Sequence, residues 1–277
     1  MKKLPALLWA ALLALCATAA LRAADPPAPA PAPAKPHYTY VIVHGATAGG
    51  WEWKAVGALL VAEGHTVYRP TLTGLGERGH LASSTVSLAT HIDDVVNTIL
   101  WEDLHDVILV GHSYGGMVIT GVMDRVPDRI KHVIYLDAMV PDDGQSAYSL
   151  VGGPPPKSKV VDGLVYFPWF DAANQHVPRG LPQSEKTFSE PVSYKNPAAK
   201  TLPVTYVAFL ANGQAKEERA AKDQNWHRAA ARGWTIRTLP GPHVLHMTNP
   251  PSVATLLQEA VADQNQPADA SPAPAAK

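Results

Sequence analysis

The chain of 277 residues has a single cysteine, Cys16. It stands inside an N-terminal apolar run that reads as a removable leader, so the mature chain is expected to carry no thiol. Disulfides, thiol nucleophiles and zinc–thiolate centres are then excluded together. An excess of charge of one sign is also missing. Lys and Arg total 23 against 24 Asp and Glu, a net charge of −1, which offers nothing to nucleic acid or to an anionic membrane surface. The apolar run itself, Leu7 to Leu21, falls short of the roughly 20 residues that a membrane span needs. Lys2 and Lys3 precede it, and small residues at Ala17–Ala19 and Ala23–Ala24 follow. A charged start, a short apolar core and small residues near a cleavage point predict a secretory signal peptide over residues 1–24. A membrane anchor and a lipoprotein attached through Cys16 are the alternatives. The length argues against the first. Leu15 argues against the second, because lipid attachment wants a small residue there.

Proline, by contrast, is plentiful, with 26 in all. Residues 25–36 read DPPAPAPAPAKP, a spacer composition that favours extended polyproline backbone and cannot build a core. Residues 264–277 are similar and are expected to be a disordered tail. Between these ends, over residues 37–263, apolar strands alternate with amphipathic helices. Strands are predicted at Tyr38–Val43, Thr66–Arg69, Val107–Val110, His132–Leu136, Val204–Phe209 and Ile236–Leu239. Helices are predicted at Trp53–Glu63, Leu88–Trp101, Tyr114–Arg125, Lys216–Ala231 and Ser252–Ala262. That order predicts an α/β fold with a mostly parallel sheet covered by helices on both faces. Residues 141–202 break the rhythm. They are rich in proline, show no clear strand and are too long for a plain connection. They are expected to form a small cap after the strand ending at Asp137, with Phe167, Trp169 and Phe170 as substrate-contacting aromatics.

The chemistry is concentrated at Gly111-His112-Ser113-Tyr114-Gly115. An apolar strand enters this G-x-S-x-G turn and a helix leaves it, which is the setting a nucleophile elbow requires. Small residues two before and two after the serine let the turn close. A serine needs a base, and of the twelve histidines His243 lies first after the last strand, where a loop can reach back over the elbow. His246 is the competitor. The pair has no obvious third ligand, so a metal site is not expected. His112 is expected to point inward, and His44 to be structural. The orienting acid should follow a strand after the elbow. Val204–Phe209 leads only to Asn212, whereas His132–Leu136 runs directly into Asp137. The order Ser113, Asp137, His243 suits a hydrolase triad; Asp223 and Glu217 are the alternatives for the acid. The oxyanion hole is assigned to the backbone N–H groups of Ala46 and Tyr114, with Thr47 as a polar contact to substrate. Trp51 and Trp53 are further aromatics that hint at an apolar pocket, although such residues more often build core.

The segments HGATAGGWEW, RPTLTGLGERGH, LVGHSYGGMVITGV, YLDAMVPDDGQS and the GPH…MTNP ending resemble the α/β-hydrolase superfamily, in particular bacterial relatives of the plant methyl-salicylate esterase and hydroxynitrile lyase family. The resemblance spans about residues 40 to 255. It implies an eight-stranded-type sheet, a small helical cap, no cofactor, and the roles given above for Ser113, His243, Ala46 and Tyr114. The chain departs from the plant members where their acid would stand, at Asn212. No lysine is placed like the one hydroxynitrile lyases use. The expected activity is hydrolysis of small-molecule carboxylic esters through an acyl-enzyme. A carbon–carbon or cyanohydrin lyase and a non-catalytic ligand-binding relative are the rivals.

Overall fold

The computed structural model describes residues 36–168, 176–211 and 213–262. The expected leader, most of the spacer, the tail, Trp169, Phe170 and Asn212 lie outside the described residues. Six strands form one sheet: β1 (Thr39–Val43), β2 (Thr66–Tyr68), β3 (Val107–His112), β4 (Ile130–Leu136), β8 (Val204–Leu210) and β9 (Thr235–Pro240). Their spatial order is β2-β1-β3-β4-β8-β9, and every pairing is parallel. The sheet thus has six strands among the described residues, where the resemblance implied eight.

Both faces of the sheet are covered, which is why its central strands read as unbroken apolar runs. Every residue of β3 is buried. Side chains alternate between two cores. Val41, Val43 and Leu109 face one, with α2 (Leu88–Trp101) and α3 (Gly115–Arg125) packed on it. Tyr40, Ile42, Ile108 and Val110 face the other, covered by α1 (Lys54–Ala62) and α8 (Pro250–Ala262). Helix α2 starts at a reciprocal cap in which the Ser87 side chain accepts from the Thr90 N–H and the Thr90 hydroxyl accepts from the Ser87 N–H, satisfying donors that a helix start leaves open.

The predicted helix over 216–231 is two helices, α6 (Lys216–Lys222) and α7 (Gln224–Ala231). Asp223 stands between them in extended backbone and caps α7 through the Asn225 N–H. The cap region also differs from expectation. It contains α4 (Ala147–Val151) and α5 (Lys186–Ser189), and in addition a three-stranded antiparallel sheet of β5 (Lys159–Val161), β6 (Leu164–Tyr166) and β7 (Gln183–Ser184). Strands of two or three residues are too short to show a hydrophobic period.

Candidate active site

Because the sheet is parallel, the ends of β3, β4 and β8 lie along one edge. Ser113 follows β3 with φ +54°, a left-handed conformation that costs a non-glycine residue about 1–2 kcal/mol. The surroundings hold it there. Its N–H donates to Leu136 O at 3.4 Å, and its carbonyl accepts from Gly116 at 3.1 Å and Met139 at 3.0 Å. A Cβ on Gly115 would lie 2.7 Å from Val43 O, and one on Gly111 would lie 2.7 Å from Ile119 Cδ1. The turn therefore demands glycine at both places for lack of room.

Asp137 follows β4, also at positive φ (+47°), and its N–H donates to Val207 O at 2.7 Å. Its carboxylate is nearly buried, at 6% exposure. The Nδ1–H of His243 donates to Oδ2 at 2.5 Å. Oδ1 accepts from the Phe209 N–H at 3.2 Å and from Arg219 Nη2 at 2.7 Å. Asp223, one of the alternative acids, is used elsewhere. Its Oδ2 accepts from the Tyr206 hydroxyl at 2.7 Å and from Arg219 Nε at 3.0 Å. Glu217 is exposed. Arg219, which no motif marked, thus bridges Asp137 and Asp223. Burial disfavours its charge, but the two carboxylates outweigh that and raise its pKa. Only the fold could reveal this, because Arg219 lies 82 positions from Asp137.

The other histidines take distinct places. His44 is fully buried; its Nδ1–H donates to Gly45 O and its Nε2 accepts from the Leu72 N–H. Burial lowers its pKa. The His112 Nε2–H donates to His243 O at 2.9 Å. Burial, followed by the neighbouring His246 and His243, pushes His112 well below the usual imidazole range. His246 stacks on Trp53 at 4.4 Å and donates to Glu52. No group of three or more His, Cys, Asp or Glu able to hold a metal occurs among the described residues.

A cavity of about 890 Å³ opens over the elbow. Ser113, His243, Ala46, Thr47 and Tyr114 all line it, as do Met139, Tyr148, Phe167 and Phe188. Trp51 and Trp53 do not, although the sequence suggested them. Trp53 is fully buried in the core beside α1. The Ala46 and Tyr114 N–H groups find no acceptor among the described residues, in contrast to their neighbour Thr47. Thr47 has φ +68°; its N–H donates to Gln183 Oε1 at 2.7 Å and its carbonyl accepts from Leu181 N at 2.8 Å. Gln183 is buried and donates onward to Thr187 Oγ1 at 2.8 Å. The loop beneath the cavity is therefore fastened to the cap, a link that no sequence motif announced.

The model of the alpha/beta hydrolase family matches residues 40–262. The chain belongs to that family. Over 112 residues, 40% of this chain and 46% of the other, it is 54% identical to a carbendazim hydrolyzing esterase of Nocardioides sp. (strain SG-4G). Over 107 residues, 37% and 40% of the two chains, it is 38% identical to salicylic acid-binding protein 2 of Nicotiana tabacum. The chain thus spans less than half the length of these curated relatives. Among solved structures, an extracellular alpha/beta-hydrolase from a Paenibacillus species superimposes with a TM-score of 0.61 at 25% identity, over 80% of this chain and 98% of that one. No helix among the described residues of this family member is long and apolar enough to cross a membrane.

Proposed function

We propose that the protein is a serine hydrolase that cleaves small-molecule carboxylic esters. The observation that carries this reading is the 2.5 Å hydrogen bond from His243 Nδ1 to a nearly buried Asp137, on the same cavity as the elbow serine. With Nδ1–H committed to a carboxylate, Nε2 is the bare nitrogen, the tautomer a general base needs. Ser113 Oγ attacks the ester carbonyl carbon and His243 Nε2 takes its proton. The N–H groups of Ala46 and Tyr114 hold the oxyanion; each such donor is typically worth about 10²–10³ in rate. The tetrahedral intermediate collapses, His243 returns the proton to the leaving alcohol, and an acyl-serine remains. Water, deprotonated by His243, then releases the acid and restores Ser113. Asp137 stabilises the imidazolium through both half-reactions. Thr47 contacts the bound ester. The name of one relative, a carbendazim hydrolyzing esterase, agrees with this substrate class.

Ser113→Ala tests the reading. The variant is expected to fold normally, to lose turnover of an aryl acetate and to escape labelling by a fluorophosphonate. Turnover within tenfold of the parent would overturn it. We further propose that the chain is exported and its leader removed between about Ala20 and Asp25, in line with the extracellular relative. N-terminal sequencing of extracytoplasmic protein checks this, and an intact Met1 would contradict it.

A further inference from the structure

The W-x-W segment at Trp51–Trp53 and the second histidine of the last loop have no part in the mechanism above, yet they meet in space. Glu52 lines the cavity and is the only carboxylate among its described lining residues. The turn that carries it, Gly50–Trp53, is anchored by the fully buried Trp53 and by the Glu52 N–H donating to Gly49 O. One carboxylate oxygen, Oε2, accepts from His246 Nε2 at 3.3 Å. His246 is fully buried and held flat against Trp53, so it fixes the glutamate rotamer from behind. The other oxygen, Oε1, has no hydrogen-bond partner in the protein among the described residues.

The charge on Glu52 follows from the hydrogen bonds. The buried His246 Nδ1 has no partner. In the neutral Nε2–H tautomer that nitrogen is a bare lone pair. In the cation it would be a buried N–H with nothing to donate to, a costly arrangement. His246 is therefore the neutral ring, and the pair keeps the full negative charge of Glu52. Much of the remaining lining is apolar, including Met139, Val151, Tyr166, Phe167, Phe188 and Val244, where a charge acts through a lower effective dielectric than in water. Arg179 is the cation on the lining. The ring of His112 lies 4.6 Å from both His243 and His246, so the Glu52–His246 pair is separated from His243 by a single ring. In the esterase reading, on which this inference rests, His243 is the group that hands its proton to the departing alcohol.

We propose that Glu52 reads the charge of the alcohol half of the substrate, accepting a cationic N–H group such as an amidinium or ammonium and rejecting a carboxylate. Glu52→Gln keeps the side-chain size and an oxygen for His246 to donate to, and removes only the charge. The test compares kcat/KM of parent and Glu52→Gln for 4-amidinophenyl, 4-methylphenyl and 4-carboxyphenyl acetate. Taking the ratio of variant to parent for each ester cancels the intrinsic reactivity of the leaving group. The expected ratios are a fall of about tenfold for the amidine, a rise of severalfold for the carboxylate and a change within twofold for the methyl ester, from one partly screened charge at close range. Equal changes for all three esters would show a merely structural glutamate and overturn the inference, as would no change in any. Binding of the three free phenols to both proteins, followed by calorimetry, gives the same comparison without turnover. If the parent hydrolyses none of the esters but prefers the amidine phenol in a Glu52-dependent way, the esterase reading falls and the charge-reading role stands. If the phenols bind without regard to charge, the role of Glu52 falls whatever the activity.

Discussion

The edge of the sheet and the cap that covers it are built on opposite plans. At the edge, Ser113 and Asp137 both adopt positive φ, and both are over-determined by backbone bonds to neighbouring strands: Ser113 to Leu136, Asp137 to Val207. In the cap the strands are only two or three residues long. Mostly side-chain bonds fasten the cap to the body, such as Gln183 to Thr47, Glu190 Oε2 to the Ala89 N–H, and Ser184 to Ser84 O, with a backbone bond from Leu181 N to Thr47 O beside the first. Aromatic packing of Phe188 against Tyr114, Tyr148 and Phe167 adds to these. The difference teaches where tolerance lies. Strain at the edge persists because many bonds enforce it, so a change there alters the chemistry. A change in the cap alters how the substrate is held, except where a cap residue reaches down to the loop after β1, which we propose holds the oxyanion.

The sharpest test of this contrast sits at the edge, between two carboxylates that share Arg219. Asp137→Asn is expected to lower kcat on the order of 10⁴-fold by presenting the wrong histidine tautomer, by analogy with the serine-protease triad. Asp223→Asn, which leaves the His243 bond intact, is expected to cost less than about tenfold through relaxed positioning. Steady-state kinetics on an aryl acetate decide it, and a reversed ranking would move the acid to the later loop.

The next test aims at the cap residue that breaks the contrast. Gln183→Met removes the acceptor for the Thr47 N–H while keeping the side-chain volume. It is expected to lower kcat about 10–100-fold with little change in KM, because a displaced oxyanion loop weakens transition-state binding more than ground-state binding. Leaving a buried N–H unpaired should also lower stability by about 1–3 kcal/mol. A change confined to KM would make Gln183 an ordinary part of the cap.

The smallest effect expected at neutral pH concerns the body alone. His44, His91, His112 and His132 are all buried with lowered pKa values, desolvation being the first cause in each. His91 and His132 fall to about 4 from an ordinary 6.5. The folded chain thus refuses protons that the unfolded chain binds. Stability is fully present above about pH 6.5 and is lost as pH falls through the window from 6.5 to 4. Thermal melting between pH 7.5 and 4.5 should show Tm level at first and then dropping. A Tm independent of pH over that range would contradict the neutral assignments.

The legibility of these regions in the sequence follows the same division. Five-to-seven-residue strands such as β1 and β4, and the fourteen-residue α2, carry enough repeats for their period to show. The elbow is legible because a tight strand–turn–helix needs glycine at fixed offsets, and 111 and 115 supply it. The cap strands are illegible because two or three residues hold no period, and they lack the strand–helix alternation that marked the equally short β2. The break at Asp223 is hidden because Lys216 to Ala231 keeps a helical composition throughout, and a capping side chain can interrupt a helix without proline or glycine. Trp51 and Trp53 show the limit of composition: aromatic residues near a site serve a core as readily as a pocket, and burial decides which.

The sequence by itself determined the alternation of strands and helices, the parallel sheet, the elbow at Ser113 and the shortlist for base and acid, because each rests on residues close together along the chain. Tertiary structure alone decided that Asp137, among the candidate carboxylates, accepts from His243, that Arg219 bridges it to Asp223, that Gln183 grips Thr47 and that Glu52 faces the cavity against a neutral His246. Each of these is one directional hydrogen bond or ion pair between residues far apart in the chain, except the short-range tie of Arg219 to Asp223. Such bonds depend on strand order, register and the approach of the cap, which no local pattern records.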